Sequence, residues 1–208
     1  DFRIRLALLW LVISLLLVFL VRGNIATDVL PDADDYMRLQ QVRDLLGGQS
    51  WFDLHQYRYV PPVGAPMHWS RLVDLPLLVI IAPLSPLIGE ARAEQIAVAL
   101  VPLVTLGAKV IALMAAVRRL LGPDPLLVLL APFMLATAPA VLIQMFPTRI
   151  DHHGWQMATA LLAAYALVGA HHLRAGLLAG AAIAVWLSIS LEGLPMIAAI
   201  LVLISLKW

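Results

Sequence analysis

Two polar knots interrupt an otherwise apolar chain, and both hold residues able to do chemistry. The first, Pro31-Asp32-Ala33-Asp34-Asp35-Tyr36-Met37-Arg38-Leu39, sets three carboxylates within four residues and follows them with an arginine. A helix N-cap needs only one such acid, and Asp34 or Asp35 is expected to fill it. The second, Pro147-Thr148-Arg149-Ile150-Asp151-His152-His153-Gly154-Trp155, places a carboxylate beside two imidazoles. Carboxylate oxygen and imidazole nitrogen suit a hard or borderline divalent cation, whereas guanidinium groups suit phosphate. Asp32, Asp151 and His153 are therefore the candidate metal ligands, with Asp34 or Asp35 able to replace Asp32. Arg38 and Arg149 are the candidate phosphate-binding groups, and His152 completes the second knot. Glu192, in Leu191-Glu192-Gly193-Leu194, is a lone carboxylate in an apolar run and is expected to serve the same site.

Positioning these knots falls to helices in lipid. Of 208 residues, 62% are hydrophobic and 13% charged, against roughly 45–50% and 25% for soluble domains. A net charge of +1 and an absence of cysteine exclude a basic nucleic-acid surface and any disulfide or thiolate metal site. Apolar runs fall at 6–22, 72–89, 93–117, 125–146, 155–170, 175–191 and 194–206, and a bilayer core takes about 20 such residues per helix. The expected fold is an all-α integral membrane protein forming one domain over 1–208. It has a first span at 6–22, a long outer loop at 24–71 and further spans within 93–206. Residues 34–46 read as a helix inside the loop, ended by Gly47-Gly48.

Basic residues favour the cytoplasmic side. Arg3 and Arg5 put the chain's start inside and the long loop outside, while Arg118, Arg119, Arg174 and Lys207 mark later inner ends. These assignments agree only if 72–89, with Pro76, Pro83 and Pro86, enters and leaves on the outer face as a re-entrant or interfacial hairpin. Six spans with both ends cytoplasmic follow, and they place both knots and Glu192 on one outer face. Such a face suggests chemistry on a lipid-borne phosphate. The chain starts without Met and stops in an apolar run, so a fragment of a longer protein is expected.

The order of motifs resembles the catalytic subunit of oligosaccharyltransferases, especially the archaeal type, which are C-type (GT-C) glycosyltransferases. An initial membrane helix is followed by Asp32 six residues before Arg38, by Tyr59-Val-Pro-Pro-Val-Gly-Ala-Pro-Met-His-Trp-Ser-Arg-Leu-Val-Asp74, and by Asp151-His152-His153. The resemblance spans roughly residues 6–165 and lies in order and spacing, since each motif alone is short. It implies a GT-C-like bundle transferring a sugar or oligosaccharide from a polyprenyl phosphate or pyrophosphate donor at the outer or periplasmic face of the plasma membrane. It also implies Asp32 as the first catalytic Asp, and Asp151 with His153 as ligands of Mg²⁺ or Mn²⁺. The family's later Glu is Gln156 here, and Asp34 and Asp35 stand where aromatic residues are common.

In that scheme Asp34 or Asp35 is the general base toward an acceptor hydroxyl, Glu192 sits on the acceptor side, and the polyprenyl tail lies in grooves near the hairpin. Because Asp151 is taken as a solvated loop acid, its replacement by Ala is expected to remove activity and spare stability. The alternative is a transporter or flippase of a lipid-linked or anionic substrate, or an inactive scaffold of the same fold. Transport predicts polar groups at the bilayer midplane, where Lys109 is the main one and is expected to snorkel. His171-His172 reads as an interfacial pair, and Met67-His68-Trp69 as substrate contact or aromatic belt.

Overall fold

The computed structural model describes residues 2–168 and 173–207; His171 and His172 lie outside the described residues. The chain is mostly helical. Its helices are α1 (Phe2–Ala26), α2 (Ala33–Leu46), α3 (Leu75–Ile88), α4 (Glu90–Leu121), α5 (Pro125–Ala136), α6 (Pro139–Ile143), α7 (His153–Leu167), α8 (Leu173–Ile189) and α9 (Leu194–Lys207). Two short strands, β1 (His55–Gln56) and β2 (Ala65–Pro66), pair antiparallel inside the loop after α2.

Among the described residues, α1 and α4 are the helices long and apolar enough to cross a membrane. α1 is apolar all round, with Val12, Leu15 and Phe19 exposed, and only 11% of its apolar window is buried. A surface of this kind is covered by lipid or by another protein. One face does pack on α4. Trp10 Nε1 donates to the Leu103 carbonyl at 2.9 Å, and its ring lies over Gly107, where a Cβ would come within 3.1 Å.

α4 is the hub, touching α1, α3, α5 and α7. Two apolar clusters share it. The first joins Leu39 and Val42 of α2, Leu77 and Ile81 of α3, Ala97 and Val101 of α4, and Ile150. The second joins Leu17 of α1 to Leu106, Val110 and Met114 of α4, with Val128 and Met145.

Two apolar runs differ from expectation. Residues 72–89 form no internal hairpin: a single 3₁₀ turn at Arg71–Val73 leads into the continuous helix α3. Pro76 sits in the first turn of α3, where its missing N–H costs nothing. Pro83 and Pro86 fall in its last two turns. The reversal comes afterwards, at Gly89 with φ 87°. At 14 residues, α3 is about 21 Å long, short of a 30 Å core. The run 125–146 is likewise not one helix, because Thr137 ends α5 and Pro139 restarts the chain as α6. Lys109 does not snorkel. It is fully buried, and its Nζ donates to the Gln144 carbonyl just past α6 at 3.0 Å.

Candidate metal and phosphate site

The second knot is a loop seated on three supports. Pro102 in α4 has no N–H, so the Val98 carbonyl four residues earlier has no helical donor. Thr148 N–H takes it at 2.8 Å, docking the loop backbone to backbone. Ile150 plugs the first apolar cluster at 1% exposure. Asp35, in the first turn of α2, accepts the N–H groups of Ile150 and Asp151 at 2.8 and 2.9 Å. Between these supports Thr148 adopts φ 72°, a left-handed conformation that costs a β-branched residue about 1–3 kcal/mol. Such strain is retained where surroundings over-determine it, and here it turns the chain so that Arg149 faces α2.

Around Arg149 the acids converge. Its Nη1 donates to Asp35 at 2.7 Å and also to Asp32, its Nη2 lies 3.6 Å from Asp151 Oδ2, and its Nε donates to Gln144 Oε1 at 2.9 Å. Asp32 is the N-cap of α2, accepting the amides of Asp34 and Asp35. That corrects the expectation of a cap at Asp34 or Asp35: the helix starts at Ala33, one residue after Asp32. Asp34 gives the cluster no side-chain contact among those of the described residues.

On the other side of Asp151 stand the histidines. Nδ1 of both His152 and His153 contacts Asp151, and His152 N–H donates to it at 2.6 Å. Glu192 Oε2 lies 3.0 Å from His152 Nε2 and 3.6 Å from His153 Nε2. The 3₁₀ turn Leu191–Gly193 delivers Glu192 there. That turn depends on glycine, because a Cβ at Gly193 would meet Trp186 at 2.4 Å. Asp151 itself is buried and is therefore no solvated loop acid.

The charges answer to this packing. Burial opposes ionisation of Asp151, yet the imidazole contacts outweigh it and hold the carboxyl far below the ordinary carboxylate range. Contact with Asp151 raises His153 against its own burial. Burial pushes Asp35 up to about 7 in spite of the Arg149 charge. Asp32 is only slightly buried, and the bond from Arg149 helps carry it below its usual value.

Arg38 departs from its expected role. It is fully buried, with Nη1 2.8 Å from Asp74 Oδ1, 3.3 Å from the Ser70 carbonyl and 3.4 Å from Gln41. Arg71 approaches the other Asp74 oxygen at 3.5 Å. Arg38 thus ties α2 to the start of α3 and presents no open face to a phosphate. Burial raises Asp74 despite both arginines. Trp69 joins the two polar clusters, with its ring 5.0 Å from the Arg38 guanidinium and 5.8 Å from the His152 ring. Sequence reasoning does not single out Asp74 and Gln144 as positioning groups; an acid and an amide near one end of the apolar runs 72–89 and 125–146 are the available signal.

Asp151, His152 and His153 offer ligand atoms within 4.8 Å of one another. One carboxylate and two imidazoles, with the Glu192 carboxylate beside them, fit a divalent cation by donor type. Asp32 meets this group only across the Arg149 guanidinium. A cleft of about 680 Å³ opens from His153 and Glu192 along α7 and α9, lined by Met157, Leu161, Met196 and Ile200. It lies away from α3, where the lipid groove was expected. No family model, no curated protein and no solved structure matches the chain.

Proposed function

We propose that this chain is a membrane glycosyltransferase of the GT-C kind, acting on a polyprenyl phosphate- or pyrophosphate-linked sugar with the aid of Mg²⁺ or Mn²⁺. The observation that carries the reading is the placing of His153 and Glu192 at the mouth of an apolar cleft, with buried Asp151 in contact with His153 and Arg149 behind it. Such a mouth matches a substrate with a phosphate head and an isoprenoid tail.

Asp151 and His153 would hold the cation, with Asp32 joining from the far side of Arg149. A divalent cation there supplies a Lewis acid that offsets charge growing on the leaving phosphate. Arg149 binds a phosphate oxygen. The cleft between α7 and α9 takes the tail and sets the head at the ligands. Glu192, half exposed and bonded to His152, is placed to accept the proton of an acceptor hydroxyl. Asp35 suits that role poorly, since its oxygens already accept three bonds. Transport gains no support from Lys109, whose bond to Gln144 gives it a structural partner.

Purified protein in lipid, given a donor whose sugar is radiolabelled, is expected to release or transfer label. Chelator should remove about nine-tenths or more of the rate and added Mn²⁺ or Mg²⁺ restore it, as expected when a Lewis acid contributes several kcal/mol. Turnover indifferent to chelator would overturn the metal mechanism. No turnover in any condition would overturn the transferase.

A further inference from the structure

Arg149 stands where a shared cation would. Its guanidinium is in contact with Asp32 and Asp35 and 3.6 Å from Asp151, with its side chain only 9% exposed. The Asp151 oxygen nearest to it, Oδ2, is the one that also contacts His153 Nδ1. Any divalent cation drawing on Asp32 and Asp151 together must compete with this guanidinium for the same oxygens. The competitor is firmly seated. Gln144 Oε1 holds its Nε, and the Gln144 carbonyl is itself held by buried Lys109 on α4.

We propose that Arg149 is a cation latch that couples metal binding to phosphate binding. In the metal-free protein the guanidinium holds the carboxylates of Asp32, Asp35 and Asp151 together. When a divalent cation takes the oxygens of Asp32 and Asp151, Arg149 gives them up and turns its Nη groups toward the phosphate of a bound donor. No bond is made or broken beyond this exchange of ion pairs. The inference rests on the metal-assisted reading above and concerns the order in which that site is filled. It follows from linkage that cation and phosphate tighten each other by the same factor.

The test measures Mn²⁺ affinity through loss of its aqueous paramagnetic resonance signal, using purified wild type, Gln144→Leu and Arg149→Met. Each is titrated alone and with farnesyl phosphate, whose own Mn²⁺ binding is subtracted in protein-free controls. Without the phosphate, both variants are expected to bind Mn²⁺ about tenfold more tightly than wild type, because the competing cation is loosened or gone. Farnesyl phosphate should tighten Mn²⁺ binding by wild type about fivefold or more, and by Arg149→Met clearly less, since only the direct cation–phosphate contact remains there. Gln144→Leu keeps the guanidinium beside Asp35, so it stands alone as the test should Arg149→Met fail to fold. Equal or weaker Mn²⁺ binding by Gln144→Leu overturns the latch while leaving the metal centre. Absence of Mn²⁺ binding in all the proteins overturns both.

Discussion

Asp151→Asn is expected to slow sugar release by about 10²–10³-fold, the several kcal/mol that a Lewis acid supplies at such a centre. Asparagine keeps an oxygen for the His152 N–H, which donates to Asp151 at 2.6 Å, and removes the charge that a cation requires. Asp151→Ala should lose as much activity and stability besides. The side chain is 1% exposed and lies between two imidazoles, and stranding such partners costs about 1–3 kcal/mol. Initial rates measured beside thermal unfolding in detergent separate the two effects. An asparagine variant that turns over at the wild-type rate would sink Asp151 as a ligand.

Arg38→Met is expected to destabilise the protein by about 3–5 kcal/mol, because it leaves Asp74 short of its main buried counter-ion. Both partners of this pair are 0% exposed, so water cannot replace the lost charge. Arg71, at 3.5 Å from Asp74, offsets the loss only in part, being engaged with the carbonyls of Gln41, Trp51 and Asp53. Adding Asp74→Asn to Arg38→Met should recover part of the loss, since neighbours in one network are not additive. Chemical unfolding of the single and double variants reads this directly. A loss below about 1 kcal/mol in Arg38→Met would show that the pair is not a structural tie.

Helix positions were largely legible in the sequence, and the site was legible in composition more than in geometry. The pattern over 34–46 matches α2 to within a residue, and the runs at 93–117 and 194–206 lie inside α4 and α9. Prolines misled where their position within a helix decides their effect. Pro76 opens α3 harmlessly, whereas Pro139 divides the run 125–146. Arg38 and Arg149 look equivalent as sequence, each an arginine beside acids. Only the fold brings Asp74, 36 residues later, onto Arg38, and leaves Arg149 among Asp32, Asp35 and Asp151. The same long-range closure makes Asp35 the acceptor for a loop 115 residues away, which no local pattern encodes.

Pro102 sets helix quality against loop seating at one residue. Ordinary propensity would favour almost any other side chain within a 32-residue helix. Yet an amide at 102 would claim the Val98 carbonyl and compete with Thr148 for it. A substitution there that strengthens α4 therefore tends to release the loop bearing Arg149 and Asp151. Engineering this protein for thermal robustness by removing prolines would select, at this position, for a sturdier helix with an unmoored loop.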